Sequence, residues 1–161
     1  MRLERPPALE PEESESARPA GLNHVAIVVR DLDEAVAFYE ELLGLPCDGR
    51  ERVESEKVDV AFFGTGRGRI ELVCPLTDDS GVARFLAKRG EGLHHICLDV
   101  PDIEAALAAL AARGLPLLDA KPRAGAGRSR VAFLPPKGAH GVLIELRQGP
   151  ATAAPSHDEP T

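Results

Sequence analysis

The sequence predicts an α+β fold made of two copies of a β-α-β-β-β module. Three observations carry that expectation: an internal repeat, a change of hydrophobic period within each copy, and glycine-rich turns between the later strands. The run GLNHVAIVVRDLDEAVAF from Gly21 aligns with GLHHICLDVPDIEAALAA from Gly92. The same offset carries VAFF at Val60 onto VAFL at Val131, while GLP at Gly44 returns at Gly114 one residue out of step and IEL at Ile70 returns at Ile144 after a further slip. Four blocks matched in one order mark a duplicated unit.

Each copy opens on a short β-rich run, VAIVV or ICLDV, followed by an aspartate suited to cap a helix. Asp31 has Glu34 three residues on, and Leu32, Ala35, Val36, Tyr39, Leu42 and Leu43 recur at helical spacing up to Gly44. Asp102 to Gly114 repeats that design. Three further strands follow each helix, broken at GTGRGR (64–69), RAGAGRSR (123–130) and PPKGAHG (135–141). A short linker helix from Ser80 to about Arg89 joins module one (about 21–78) to module two (about 91–148). Residues 1–20 and 149–161, rich in Pro, Glu, Ser and Ala, read as disordered tails because they lack apolar content to offset chain ordering.

Composition sets the function classes that remain open. A formal net charge of −7 disfavours non-specific nucleic-acid binding, which needs a basic surface, so a polyanionic ligand must meet a local basic cluster. No apolar run approaches the roughly 20 residues of a membrane span, and the acidic N-terminal stretch does not resemble a signal peptide. A cytoplasmic location is expected. Cys47, Cys74 and Cys97 lack a C-x-x-C spacing and read as small apolar residues.

Strand alternation selects the chemistry-bearing residues. Ile27 and Val29 share one face and leave His24 on the other; Ile70 and Leu72 leave Glu71, Ile96 and Leu98 leave His95, and Ile144 and Leu146 leave Glu145. If the two halves pair about a local two-fold axis, His24, Glu71, His95 and Glu145 converge. Two imidazoles and two carboxylates suit a divalent ion of the Co, Ni, Mn, Fe or Zn type, with two adjacent positions left for water or a chelating substrate. Of the neighbours His94 and His95, the repeat matches His95 to His24 and His94 to Asn23, so His94 is expected to support rather than ligate. His140 and His157 receive no role.

These motifs resemble the vicinal oxygen chelate (glyoxalase/bleomycin resistance/dioxygenase) superfamily over nearly all of 21–148. Within it, TDDSGVARFLAKRGEGLHHICLDV and KPRAGAGRSRVAFLPPKGAHGVLIEL are similar to the methylmalonyl-CoA epimerase family. The resemblance implies sheets forming an open barrel around a metal site held by His24, Glu71, His95 and Glu145. It also implies epimerisation of (2R)- and (2S)-methylmalonyl-CoA by proton abstraction next to a thioester, Glu145 and Glu71 being the candidate bases. Some members carry Gln at the position of Glu71 and a carboxylate on the strand that here reads VDVAFF, where the nearest acid is Asp59. Their HPK is Pro135-Pro136-Lys137 here. The CoA phosphates are expected at Arg123, Arg128 and Arg130, where glycines allow backbone N–H groups to approach an anion. A glyoxalase I-like lactoylglutathione lyase and a non-catalytic small-ligand binder are the alternatives, and a homodimer stays open as the assembled state.

Overall fold

The computed structural model describes residues 14–150. In chain order these form α1 (Ser14–Ala17), β1 (Gly21–Val28), α2 (Leu32–Ala37), β2 (Cys47–Val53), β3 (Val58–Phe63), β4 (Arg69–Pro75), α3 (Gly81–Arg89), β5 (Gly92–Asp99), α4 (Ile103–Ala112), β6 (Arg123–Ala124), β7 (Arg130–Leu134) and β8 (Ile144–Gln148). One eight-stranded sheet runs in the order β2-β3-β4-β1-β5-β8-β7-β6. Each module thus pairs its first strand in parallel with its last, β1 with β4 and β5 with β8, and its helix makes the crossover that a parallel pair requires. The modules join through β1 and β5, which run antiparallel about the local two-fold that the repeat implies.

The helices start where the caps place them. Asp31, Ser80 and Asp102 accept hydrogen bonds from the backbone N–H groups of Glu34, Ala83 and Ala105 at 2.9, 3.0 and 3.0 Å. On the outer face of the sheet, Val36 of α2 packs with Val29, Ala61, Phe63 and Leu72, while Ile103, Ala106 and Leu107 of α4 pack with Ala132 and Leu146. The inner face keeps a separate apolar cluster of Ala26, Val53, Val58, Val60 and Val73, with Val82 of α3 and Ala126 against it. Curling around this inner face makes the sheet an open barrel. Its two edges meet through side chains: the Glu51 carboxylate accepts from the Gly127 N–H at 2.9 Å, and the Ser55 hydroxyl donates to the Ala124 carbonyl at 3.0 Å.

Three details differ from the sequence reading. The first long helix breaks after Ala37 into a π-helical turn over Phe38–Leu42, closed by Leu43 N–H on the Phe38 carbonyl. The wider turn rotates the face, so Leu42 and Leu43, expected on the core side, are exposed. The strand that follows α4 is only the pair Arg123–Ala124, because Gly125 enters a 3-10 turn and packs so closely that a Cβ there would lie 2.6 Å from Val131 Cγ1. Residues 1–13 and 151–161, most of the two expected tails, lie outside the described residues. Within 14–20, however, Ala17 is buried and the Ser16 carbonyl accepts from the Asp102 N–H, which ties this segment to the start of α4. Among the described residues no helix is long and apolar enough to cross a membrane.

Candidate active site and metal centre

His24, Glu71, His95 and Glu145 meet on the inner face near the local two-fold, each less than 8% exposed. His24 Nε2 lies 3.1 Å from Glu71 Oε2 and 3.8 Å from Glu145 Oε2, and His95 Nε2 lies 2.6 Å from Glu145 Oε2 and 4.0 Å from Glu71 Oε2. The two Nε2 atoms are 3.4 Å apart. Donors bonded at about 2.1 Å to one ion at right angles stand about 3.0 Å from one another; His24, Glu71 and His95 offer atoms close enough together to hold one ion, and Glu145 stands next to them against both histidines. Burial pushes the Glu71 carboxyl up, yet the His24 hydrogen bond and the charges of His24, His95 and Arg69 outweigh it and hold Glu71 below the ordinary glutamate range. An ionised Glu71 is what a cation needs.

The residue before each histidine completes the design. Asn23 Oδ1 stands 2.8 Å from His24 Nδ1, and His94 Nδ1 stands 2.8 Å from His95 Nδ1. An Nδ1–H donated to Asn23 leaves the His24 Nε2 lone pair free for a metal. Strict alternation would turn Asn23 and His94 away from the site. The ladder between β1 and β5 instead slips at these two places: Leu22 pairs with Leu98 and His24 with Cys97, then Ala26 pairs with His95 and Ile27 with Leu93. Each unpaired residue forms a bulge that brings consecutive side chains side by side. His94 therefore supports His95 from within the pocket wall, packed edge-on against Phe85 of α3 at 4.9 Å between ring centres. Burial, with the His95 charge adding, lowers its pKa to about 4, so it is neutral at pH 7. Cys97 pairs in register with both His24 and Glu145, and its thiol is pushed up by burial, which keeps it protonated.

Around these donors lies a cavity of about 530 Å³, walled by Val60, Phe62, Val73, Phe133 and Leu143. Two carboxylates that the sequence reading missed line it, Glu51, which accepts from the Gly127 N–H, and Glu56. Glu56, at the end of a 3-10 turn over Glu54–Glu56, lines the cavity, and burial raises its pKa, with the charges of Glu145 and Asp119 adding to this and Arg123 opposing it. Asp59, the acid considered on that strand, faces away and is held by a two-pronged contact from Arg52 at 2.8 and 2.9 Å. Strand parity does not reach Glu56, because the left-handed Lys57 separates its turn from β3.

The three arginines expected at the CoA phosphates separate. Arg123 lines the cavity beside Glu56 at 3.1 Å, Arg130 pairs with Glu104 of α4, and Arg128 is exposed outside the cavity lining. The glycine loop does present an N–H to an anion, but that anion is the protein's own Glu51. Arg84, exposed on α3, also lines the cavity, as do Arg69 and Arg147.

Residues 23–133 match the family described as the Glyoxalase/Bleomycin resistance protein/Dioxygenase superfamily. The chain is 41% identical over 128 residues to the mitochondrial methylmalonyl-CoA epimerase of Homo sapiens, covering 79% of this chain and 73% of that one. It is 41% identical over 129 residues to the ethylmalonyl-CoA/methylmalonyl-CoA epimerase of Cereibacter sphaeroides, covering 79% and 96%. Among solved structures, it superposes on a single-substitution variant of the Streptomyces coelicolor methylmalonyl-CoA epimerase in complex with 2-nitronate-propionyl-CoA. The TM-score is 0.80 at 35% identity, covering 86% of this chain and all of the other.

Proposed function

The chain belongs to the Glyoxalase/Bleomycin resistance protein/Dioxygenase superfamily, and from that premise we propose that it interconverts (2R)- and (2S)-methylmalonyl-CoA with the aid of a divalent metal ion. The observation that carries the proposal is the convergence of four buried donors, from both modules, at the floor of a cavity that also holds a carboxylate of raised pKa. Two relatives at 41% identity are named epimerases, which favours this reading over a glyoxalase I-like one. Four buried ionisable donors favour it over a simple ligand-binding module.

His24, Glu71, His95 and Glu145 would hold the ion, which would supply Lewis-acid polarisation of the thioester carbonyl. The protein's own task is to move the proton on C2 between two faces. Glu145 takes or returns it on one face. For the other face Glu56 is the better base than Glu71, because the contact with His24 holds Glu71 below the ordinary glutamate range and so makes it a weak proton acceptor, whereas the raised pKa of Glu56 brings it nearer to the operating pH. The walls formed by Val60, Val73, Phe133 and Leu143 keep water from the reacting carbon. Arg123 and Arg84 at the rim face the CoA phosphates.

Chiral assay of Glu56→Gln and Glu71→Gln tests this division of labour. Glu56→Gln should lower kcat by about 10²-fold or more with its metal retained, and Glu71→Gln should keep its metal and stay within about tenfold of the wild type. The reverse pattern assigns the second base to Glu71. Because a base must be ionised to act, wild-type kcat/KM should fall as the pH drops through a value above 4.5, the ordinary position for glutamate, since burial raises Glu56.

A further inference from the structure

Arg69 opens β4 two residues before Glu71, on the same face, and its register partner on β1 is His24. It lines the cavity with its guanidinium 5.0 Å from the centre of the Phe62 ring, and its Nη2 lies 3.3 Å from Asn23 Oδ1. Its Nε is shut off from solvent and has no hydrogen-bond partner among the described residues. An unanswered donor on a charged group is costly, and where the guanidinium lines the cavity an oxyanion is its natural acceptor. Of the other arginines of the cavity, Arg147 pairs with Asp99 at 3.0 Å and Arg123 with Glu56 at 3.1 Å, while Arg84 is exposed at the rim and donates to the Asp79 carbonyl at 2.8 Å. Among the described residues no carboxylate lies within ion-pair distance of Arg69.

Charge balance says what this cation answers. Glu71 and Glu145 would neutralise a divalent ion between them, so a substrate that carries its own carboxylate brings one uncompensated negative charge into a buried site, and proton abstraction moves a second one from the base onto the substrate. A guanidinium offers two parallel N–H donors to such a carboxylate and cannot lose its charge. We infer that Arg69 is a specificity-determining residue that receives the free carboxylate of the acyl group, so that the cavity selects 2-carboxyacyl thioesters over uncharged acyl thioesters of similar size. The inference rests on the epimerase reading.

The test is calorimetric binding of methylmalonyl-CoA and of propionyl-CoA, which lacks only the carboxylate, to the metal-loaded full chain. Wild type should prefer methylmalonyl-CoA. Arg69→Gln should cut that preference by about 10- to 100-fold, through methylmalonyl-CoA alone, with metal content unchanged. Arg69→Lys should fall in between, because it keeps the charge without the fork. Equal weakening for both thioesters, loss of metal, or an unchanged preference overturns the assignment, the first two marking a structural role through Asn23 and Phe62. Should Arg69→Gln not fold, Arg69→Lys carries the test, and an unchanged preference in that variant overturns it. Wild-type protein that does not epimerise methylmalonyl-CoA defeats the epimerase reading itself. Wild-type protein that does, with a preference indifferent to position 69, defeats the Arg69 assignment alone.

Discussion

Glu145→Gln is expected to lower epimerisation by about 10²- to 10⁴-fold, the range of a lost general base, while much of the metal stays bound. Glutamine preserves the shape and an oxygen donor, so the ladder from Ile96–Ile144 to Asp99–Arg147 and the packing of Leu146 under α4 should be undisturbed. What disappears is the proton-accepting oxygen and the negative charge 2.6 Å from His95 Nε2. Metal content by elemental analysis and turnover by chiral assay separate the two effects. Turnover near that of wild type would remove Glu145 from proton transfer even with the metal centre intact.

His95→Ala should have the larger effect on the metal. Removing a partner that only supports a ligand costs metal sites 10- to 100-fold in affinity, so removing the ligand itself should exceed about 100-fold and take activity with it. His94→Ala is the informative comparison, because His94 touches His95 Nδ1 and Phe85 yet contributes no atom to the four-donor cluster. Its metal affinity should fall within that 10- to 100-fold range, and the protein should regain activity as metal is added. Equal, unrecoverable loss in both variants would mean that His94 is itself a ligand.

The comparison of these neighbours also marks how far alternation along a strand can be trusted. Fold class, module order and the convergence of His24, Glu71, His95 and Glu145 were legible because a duplicated chain repeats its errors as faithfully as its signals: a His and a Glu at matched places in both halves do not arise from independent packing needs. The bulges at Asn23 and His94 were not legible, since period-two reasoning assumes an unbroken ladder and only the paired strand reveals the slip. The π-helical turn at Phe38–Leu42 escaped for a similar reason, a spacing of apolar residues being compatible with either turn until packing chooses. Glu56 was missed because it belongs to a turn, has no counterpart in the second half, and shows its chemistry only through what surrounds it. The arginines of 123–130 were grouped by sequence, but the 3-10 turn and left-handed backbone at Gly127 and Arg128 send them to different sides of the sheet.

The most direct measurement of the central claim, that two carboxylates of one cavity exchange the C2 proton of a malonyl thioester with solvent, is epimerisation in deuterated water. Starting from either pure epimer, the metal-loaded protein should deliver one deuterium to C2 of the product epimer, because the group that returns the proton is not the group that removed it. At equilibrium both epimers should be labelled. Interconversion with protium kept at C2 would mean that one group carries the same proton across the plane, and would contradict the account.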